Sequence, residues 1–361
     1  MGQKRVRERM GRSRALPPLP LAPPRRSQGG GKCQPVRVPS LAWLERGIEG
    51  ERRAPEQRPY RTRGDWQGRQ NRVSGTILVT GASRRVGGEV VRRLAGRGVR
   101  VRAAVDDVNA ALPQDWGNAE VAAFDYGDPG TYPAVFAGAD RLLLVMPPGD
   151  FESQEGQIAR LIAYARQAGV EHIVFISAMG TDKIYLSSQW VVEQYLMQSG
   201  VDYTILRSGW FFQNFVTDDS LREDIRRGVL RLPLGEAKVS SVDLRDVAEV
   251  AVVALTENGH RNRVYSLGEH LLSAREQAAL LSKVLGRPVV YEPISEHEAA
   301  QALRAAGVDR QVAKWWRIVY QLMRQGAYSS TAPDVSRVLG RPSIPFKQFA
   351  QDYAHVWRVD G

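Results

Sequence analysis

The sequence predicts an α/β fold built on a doubly wound parallel sheet. Six short apolar runs recur between residues 76 and 206, and helical patterns or turns separate them. Strands that alternate with helices at this spacing form βαβ units, whose strands are parallel. A glycine-containing loop joins the first apolar run to the first helical pattern. We therefore expect one open sheet with helices on both faces, followed by a small, mostly helical C-terminal region.

The predicted strands are apolar runs that end beside polar residues, glycine or proline. They are 76–80, 99–105, 121–124, 141–145, 172–176 and 203–206, with a short later strand at 289–291. Helices are predicted at 154–168, 191–198, 272–285, 296–306 and 312–324, and a first helix carries Val86, Val90, Val91 and Leu94 on one face. Sheets of this type bind ligands beyond the carboxyl ends of their strands, so the residues that follow strands are the site candidates.

The net charge of +11 belongs to the beginning of the chain. Residues 1–75 contain 18 Lys and Arg against 6 Asp and Glu, whereas the remaining residues contain 32 against 33. We predict that residues 1–73 form a disordered Arg/Pro/Gly-rich extension, because this composition buries too little apolar surface to fold. A basic arm could still contact nucleic acid or anionic lipid without sequence specificity. Alternatively, the residues before Val73 are not native, and translation starts at Val73 from a GTG codon.

Cysteine and histidine usage narrows the classes of site. Cys33, inside the extension, is the only cysteine, so the folded part offers no disulfide, thiolate metal site or cysteine nucleophile. The five histidines show no metal-ligand spacing, and we expect no metal. The sequence contains no apolar stretch typical of a signal peptide or a membrane span. We expect a cytoplasmic protein with no membrane and no specific nucleic-acid partner, and the sequence leaves its oligomeric state open.

The loop that follows the first strand, Thr80–Gly87, is predicted to bind a dinucleotide. Glycine permits the chain reversal at Gly81 and close helix–strand packing at Gly87, and the helix N-terminus offers N–H groups to a pyrophosphate. The usual middle glycine is missing, since Arg84 or Arg85 takes its place, depending on the register. The cofactor-binding candidates in this loop are Gly81, Ser83, Arg84, Arg85, Val86 and Gly87. We expect a Rossmann-type NAD(P)-binding domain over 74–268 and a substrate-side region over 269–361.

Two features select the cofactor in opposite directions. Asp106, with Asp107 beside it, ends the second strand, where an acid accepts a hydrogen bond from the ribose 2′-hydroxyl and repels a 2′-phosphate. Arg84 and Arg85 could instead pair with that phosphate. We expect NAD(P) as the cofactor, with the two carboxylates favouring NAD.

Four further cofactor candidates follow the third and fourth strands. They are Asp125, Tyr126, Met146 and Pro147. Asp125 is placed either to contact the adenine amino group or to cap its strand.

Several motifs follow one another in order along the chain. They are Thr80–Ser83, Phe124–Tyr126, Ala137–Leu143, Ala168–Val174, Gly200–Arg207, Gly209–Phe215, Val242–Ala248 and Val338–Pro342. Together they resemble the NmrA-like branch of the atypical short-chain dehydrogenase/reductase family, from residue 76 to about 357. Within it the chain is most similar to NAD(P)H:quinone reductase-like proteins and to ergot alkaloid dehydrogenases of the festuclavine type.

The resemblance implies a Tyr-x-x-x-Lys pair with an upstream serine, in which the tyrosine donates a proton and the lysine lowers the tyrosine pKa. The matching positions are Tyr185, Gln189 and Ser177. Gln189 carries no charge, and only seven residues separate Ser177 from Tyr185, which is short for this triad. The three residues are catalytic candidates, with Tyr185 either an acid or an ordinary loop tyrosine and Gln189 able to hydrogen-bond the ribose.

The segment after the sixth strand is predicted to line the substrate pocket. It contains Trp210, Phe211, Phe212, Gln213 and Asn214. An apolar, aromatic pocket suits an acceptor that is already electrophilic, because positioning such an acceptor supplies much of the rate. We expect an NAD(P)H-dependent reductase of a small molecule such as a quinone or an imine. The alternatives are a non-catalytic NAD(P) sensor that binds a transcription factor, and an isomerase, epimerase or lyase on the same fold.

Overall fold

A mostly parallel eight-stranded sheet organises the chain in the computed structural model, which describes residues 75–110, 113–147, 151–182 and 187–358. The predicted extension over residues 1–73 lies outside the described residues. The strands are β1 (Thr76–Val79), β2 (Val101–Val105), β3 (Glu120–Ala123), β4 (Ala139–Leu144), β5 (His172–Ala178), β6 (Asp202–Ser208), β7 (Trp210–Phe211), β8 (Val229–Leu232), β9 (Lys238–Val242), β10 (Arg263–Gly268), β11 (His270–Ser273), β12 (Val290–Pro293) and β13 (Ala332–Pro333).

The helices alternate with these strands in the first half of the chain and cluster in the second. They are α1 (Arg85–Ala95), α2 (Tyr132–Phe136), α3 (Phe151–Gln167), α4 (Ser188–Gln198), α5 (Asn214–Thr217), α6 (Asp219–Arg226), α7 (Leu244–Thr256), α8 (Ala274–Leu285), α9 (Glu296–Ala305), α10 (Arg310–Arg324), α11 (Asp334–Leu339), α12 (Phe346–Asp352) and α13 (Ala354–Trp357). The predicted order of strand and helix from residue 76 to 208 is confirmed.

The strand order of the large sheet is β13-β10-β6-β5-β4-β1-β2-β3. All neighbouring strands are parallel except β13, which pairs with β10 in the antiparallel direction. The chain moves outward from β1 through β2 to β3, and then returns to β4 on the other side of β1. This reversal opens a crevice at the carboxyl ends of β1 and β4, which is where doubly wound sheets bind ligands. The predicted doubly wound fold is therefore confirmed.

Both faces of the sheet are covered, which explains the continuous apolar runs of its strands. In β1, Ile77 and Val79 pack with α1 and α7 on one face, while Leu78 packs with α2 and α3 on the other. Side chains of successive strand residues point to opposite faces, so an uninterrupted apolar strand fits a sheet buried on both sides. The result is a three-layer α/β/α arrangement.

A second core lies at the carboxyl edge of the large sheet. It gathers apolar residues from position 179 to position 357, including Phe212, Phe215 and Phe349, all of which are fully buried. A three-stranded sheet (β11-β9-β7) and a two-stranded sheet (β12-β8) border it. The predicted boundary between residues 268 and 269 falls between β10 and β11, which belong to different sheets. However, β13 lies after this boundary and pairs with β10 of the large sheet. The division of the chain into two domains at this boundary therefore stays a prediction.

One helix begins later than the sequence indicates. The helical pattern predicted over 272–285 starts at Ala274, because Leu272 belongs to β11 and pairs with Val239 of β9. Ser273 caps the helix: its hydroxyl accepts from the Glu276 N–H at 3.2 Å, and the Glu276 carboxylate accepts from the Ser273 N–H at 2.8 Å. This capping box sets the start of the helix.

Among the residues that the structure describes, no helix combines the length and the apolar character needed to cross a membrane.

The last helix is expected to be essential for the stability of the second core. Trp357 is fully buried, and its Nε1 donates to the Phe215 carbonyl at 3.0 Å. Trp357→Ala should lower the free energy of unfolding by about 3–5 kcal/mol, since it leaves a large cavity and an unpaired carbonyl. Ile318→Ala, at a side chain that is 44% exposed, should change it by less than about 0.5 kcal/mol. Urea unfolding measures both values, and equal losses would contradict this view of the core.

Candidate functional site

The loop Thr80–Gly87, here called the nucleotide loop, adopts a conformation that requires glycine at two positions. Gly81 has a φ of +60°, in the left-handed region that other residues rarely adopt. A Cβ at Gly87 would lie 2.2 Å from the Gly81 carbonyl oxygen. The first turn of α1 therefore approaches the loop more closely than any side chain would permit. Because the first N–H groups of a helix have no partner within the helix, a pyrophosphate would bind at this turn.

The missing middle glycine does not strain the loop. Arg84, which replaces it, has a φ of −100° and a ψ of 161°, an extended conformation open to any residue. Arg84 is the N-cap residue of α1, and its side chain makes no hydrogen bond to the first turn. The backbone geometry of a dinucleotide loop is thus kept although the sequence motif is incomplete.

The side chain of Arg84 lies at the end of β2, beside Asp106. The Ser83 hydroxyl donates to Asp106 Oδ1 at 2.7 Å, and Arg84 Nη2 lies 3.9 Å from Asp106 Oδ2. The hydrogen bond from Ser83, assisted by the charge of Arg84, lowers the pKa of Asp106, which therefore stays ionised. Three predicted cofactor residues thus meet where the ribose of an adenine nucleotide lies in this fold.

Arg85 lies away from Asp106, although it is adjacent to Arg84 in the sequence. Its Nη1 donates to Asn214 Oδ1 at 3.0 Å and to the Thr217 hydroxyl, both on α5. Partial desolvation lowers the pKa of the Arg85 guanidinium, an effect that Asp218 opposes. From the sequence, both arginines could pair with a 2′-phosphate. In the structure only Arg84 lies beside Asp106, whereas Arg85 contacts α5.

The carboxyl ends of β1 and β4 are fastened together by polar side chains. The Thr80 hydroxyl donates to the Leu143 carbonyl and accepts from the Val145 N–H, both at 3.1 Å. The Tyr126 hydroxyl donates to the Val145 carbonyl at 2.8 Å, and burial raises the pKa of Tyr126 well above its usual range. Tyr126 therefore supports the floor of the crevice as a neutral phenol.

The remaining cofactor candidates line the same edge of the sheet. Asp125 is exposed, and its carboxylate accepts from the Gly127 N–H at 2.7 Å, so it caps the turn after β3. Met146 is half-buried and Pro147 is buried directly after β4. The Pro147 carbonyl accepts from Gln154 Nε2 at 2.9 Å, which joins this turn to α3.

Of the three catalytic candidates, the structure describes Ser177 and Gln189. Tyr185 lies outside the described residues. The Ser177 hydroxyl donates to Glu193 at 2.5 Å, and Glu193, which is fully buried, also forms an ion pair with Arg207 at 2.7 Å. Gln189 lies half-buried in the first turn of α4, one helical turn before Glu193. The Ser177 hydroxyl is thus engaged in a buried polar network that the sequence did not reveal.

Three aromatic residues and one methionine pack together beyond the carboxyl ends of β5 and β6. This group, here called the aromatic cluster, consists of Met179, Trp210, Trp316 and Tyr320. The Trp210 ring is 5.8 Å from Trp316 and 6.1 Å from Tyr320, measured between centroids. Met179 follows β5, and its N–H donates to the Ser208 carbonyl at 2.8 Å. The cluster therefore lies at the same sheet edge as the nucleotide loop.

The predicted substrate residues after Trp210 have different surroundings. Phe211 is half-buried against the core of the large sheet, and Phe212 is fully buried against Phe346, with 5.1 Å between ring centroids. Gln213 is buried: its amide donates to Asp243 at 2.7 Å and accepts from the Leu244 N–H at 2.8 Å. Phe212 and Gln213 hold the segment in place, whereas Trp210 is buried within the aromatic cluster and Phe211 and Asn214 remain half-buried.

The sequence did not single out Met179, Trp316 or Tyr320. Trp316 and Tyr320 are four residues apart on one face of α10, a spacing that indicates a shared helix face. That pattern alone could not show that the face meets Trp210, more than a hundred residues earlier.

The fold and the site together define a dinucleotide-binding α/β protein with an aromatic cluster at the same sheet edge. The family model described as the NmrA-like family matches residues 73–335. The chain belongs to the NmrA-like family, as the sequence motifs predicted.

Two relatives with solved structures and one curated relative are similar over most of their own length. The NAD(P)H azoreductase of Xenophilus azovorans is 36% identical over 284 residues, which cover 77% of this chain and 98% of the relative. The triphenylmethane reductase of Citrobacter sp., solved with NADP(H), is 30% identical with a TM-score of 0.69, covering 77% and 99% of the two chains. The NADPH-dependent quinone oxidoreductase QOR2 of Escherichia coli, solved with NADPH, is 25% identical with a TM-score of 0.68, covering 78% and 100%.

The close approach at Gly87 can be tested directly. Gly87→Ala should weaken ADP-ribose binding at least tenfold and lower the free energy of unfolding by about 1–3 kcal/mol, because the added methyl group collides with backbone. Gly156→Ala is the matched control, since Gly156 is an exposed helical residue with open space around its Cα. The control should bind normally and gain up to about 1 kcal/mol. Calorimetric titration and urea unfolding give both numbers; normal ADP-ribose binding by Gly87→Ala would contradict the assignment of the loop.

Proposed function

We propose that this protein is an NAD(P)H-dependent reductase that transfers a hydride to a planar aromatic acceptor, such as an azo compound, a quinone or a triarylmethane dye. The observation that carries the proposal is the position of the aromatic cluster at the same sheet edge as the nucleotide loop. The named activities of the relatives support the same class of reaction.

The residues present fit a dinucleotide. The absence of a side chain at Gly87 lets the first turn of α1 pack directly on the Gly81 backbone, and Ser83 and Asp106 lie at the ribose end. A bound dihydronicotinamide supplies the hydride. The chain contributes the floor of the crevice through Thr80 and Tyr126, and the aromatic cluster excludes water from the acceptor side.

The chemistry favours acceptors that are electrophilic before they bind. Ser177 is hydrogen-bonded to Glu193, and Gln189 has no charge with which to lower a tyrosine pKa. A quinone or an iminium-like dye carbon accepts hydride without prior protonation, so stacking and orientation supply much of the rate. Trp210, Trp316 and Tyr320 provide the flat apolar contacts that such acceptors need.

Turnover is tested by following NADH and NADPH absorbance at 340 nm with a quinone, an azo dye and a triarylmethane dye. We expect acceptor-dependent oxidation with at least one of them. Trp210→Leu should raise the acceptor KM about 3- to 10-fold, as expected for the loss of one aromatic contact, and leave the Kd for NADH within twofold. Tyr320→Phe, which keeps the ring, should leave the acceptor KM unchanged. Tight nucleotide binding without oxidation of either cofactor would instead support the non-catalytic sensor.

For the cofactor, we expect NADH to bind more tightly than NADPH, because ionised Asp106 opposes a 2′-phosphate. Asp106→Ser should shift the ratio of the two Kd values toward NADPH by about tenfold, since Arg84 remains to pair with the phosphate. The matched control is Asp107→Ser. The Asp107 carboxylate accepts from the Asn109 N–H in the adjacent turn, so its loss should leave the ratio unchanged. Fluorescence titration of each variant measures the ratio, and a wild-type preference for NADPH would refute the expected selection.

A further inference from the structure

Arg85 occupies an electrostatically unfavourable position that the fold nevertheless maintains. It is the first residue of α1, where the helix dipole places partial positive charge, and the first turn contains no acidic residue. Within the described part of the chain Arg85 forms no ion pair, whereas its neighbour Arg84 lies beside Asp106. Its hydrogen-bond partners on α5, the Asn214 amide and the Thr217 hydroxyl, are neutral, and Asp218, the residue after α5, acts on the guanidinium through its charge without forming one of the described ion pairs. A cation in this position gains most from an anion bound at the same helix end.

The element that Arg85 contacts is anchored independently on its other side. Gln213, which precedes α5, is fixed by Asp243 and by the Leu244 N–H. Phe215 of α5 is fully buried, and its carbonyl accepts from Trp357 Nε1. The short helix therefore has anchors other than Arg85, which contacts it from the N-terminus of α1.

The segment that carries α5 also carries the acceptor side of the site. Trp210 of the aromatic cluster lies four residues before Asn214, and Phe212, between them, is buried in the second core. Arg85 thus joins the nucleotide loop to the segment that borders the acceptor.

We propose that Arg85 is a positioning residue that has two roles: its charge neutralises the dinucleotide pyrophosphate at the N-terminus of α1, and its Nη1 fixes α5 to the nucleotide loop. The inference rests on the proposed function and deepens it. It assigns Arg85 to the pyrophosphate and the acceptor side, and leaves the ribose end to Arg84. Because one guanidinium serves both contacts, cofactor and acceptor affinities are coupled, and each ligand strengthens the other to the same degree.

The charge is tested by binding alone, without turnover. Arg85→Met should weaken ADP-ribose binding about 10- to 100-fold, the range expected for a charge-assisted hydrogen bond, and leave adenosine binding, which involves no phosphate, within twofold. Arg227→Met, at an exposed arginine that pairs with Glu223 away from the site, is the control and should leave ADP-ribose affinity within twofold. Unchanged ADP-ribose affinity in Arg85→Met overturns the inference, whether or not the protein reduces any acceptor.

The contact with α5 is tested by separating charge from geometry. Arg85→Lys keeps the charge, so ADP-ribose affinity should recover to within about threefold of wild type. Lysine cannot reproduce a guanidinium contact to two acceptors, so the acceptor KM at saturating NADH should remain above the wild-type value. Asn214→Ala with Thr217→Val should lower ADP-ribose affinity, and its effect should not add to that of Arg85→Met. Full additivity in this double-mutant cycle would show that α5 has no part in the role of Arg85 and would overturn the positioning role.

Suppose that the wild-type protein reduces no acceptor but Arg85→Met still weakens ADP-ribose binding as expected. That result would refute the proposed function and would support the charge role of Arg85. Loss of the Arg85 effects in a protein that does reduce acceptors would refute only the inference.

Discussion

The reversal of chain direction on either side of β1 is the constraint on which the site depends. Because β2 and β4 flank β1, the connections after β1 and β4 diverge, and a crevice opens between them. Right-handed crossovers place α1 on one face of the sheet and α3 on the other. The Thr80 hydroxyl joins the ends of β1 and β4, because it donates to the Leu143 carbonyl and accepts from the Val145 N–H. The nucleotide loop, Asp106 and the turn after β4 converge there because their strands end there.

The large sheet could be predicted from the sequence because its determinants are local. Each strand from β1 to β6 is a short apolar run next to a helix with a defined apolar face, and the order of such units dictates a parallel sheet. The helix α7 illustrates where this reasoning fails. Nearly all its residues are buried, since it packs between the sheet, α1 and α11. Its charged residues, Arg245, Asp246 and Glu249, are buried or half-buried, and only its family motif marked the segment in the sequence.

The site was predicted unevenly for the same physical reason. The positions of Gly81, Gly87, Ser83 and Asp106 follow from strand ends, which local patterns reveal. The direction of the Arg84 and Arg85 side chains depends on partners 22 and 129 residues away in the chain, and no local pattern encodes it. Likewise, Phe212 and Trp210 are both aromatic residues after β6, but only the packing of α12 on Phe212 and of α10 on Trp210 gives them different surroundings.

The bond between Trp357 and the Phe215 carbonyl has a consequence for how the molecule is assembled. The parallel sheet from β1 to β6 is made of neighbouring βαβ units, whose contacts form between segments close in sequence. The second core joins residue 215 to residue 357, a separation of 142 positions. Contacts of such separation form slowly, because a long loop must close before they contribute stability. One face of the nucleotide half has the same requirement, because α7 packs on β1 and α1, and the acceptor side is completed only when the final helix docks.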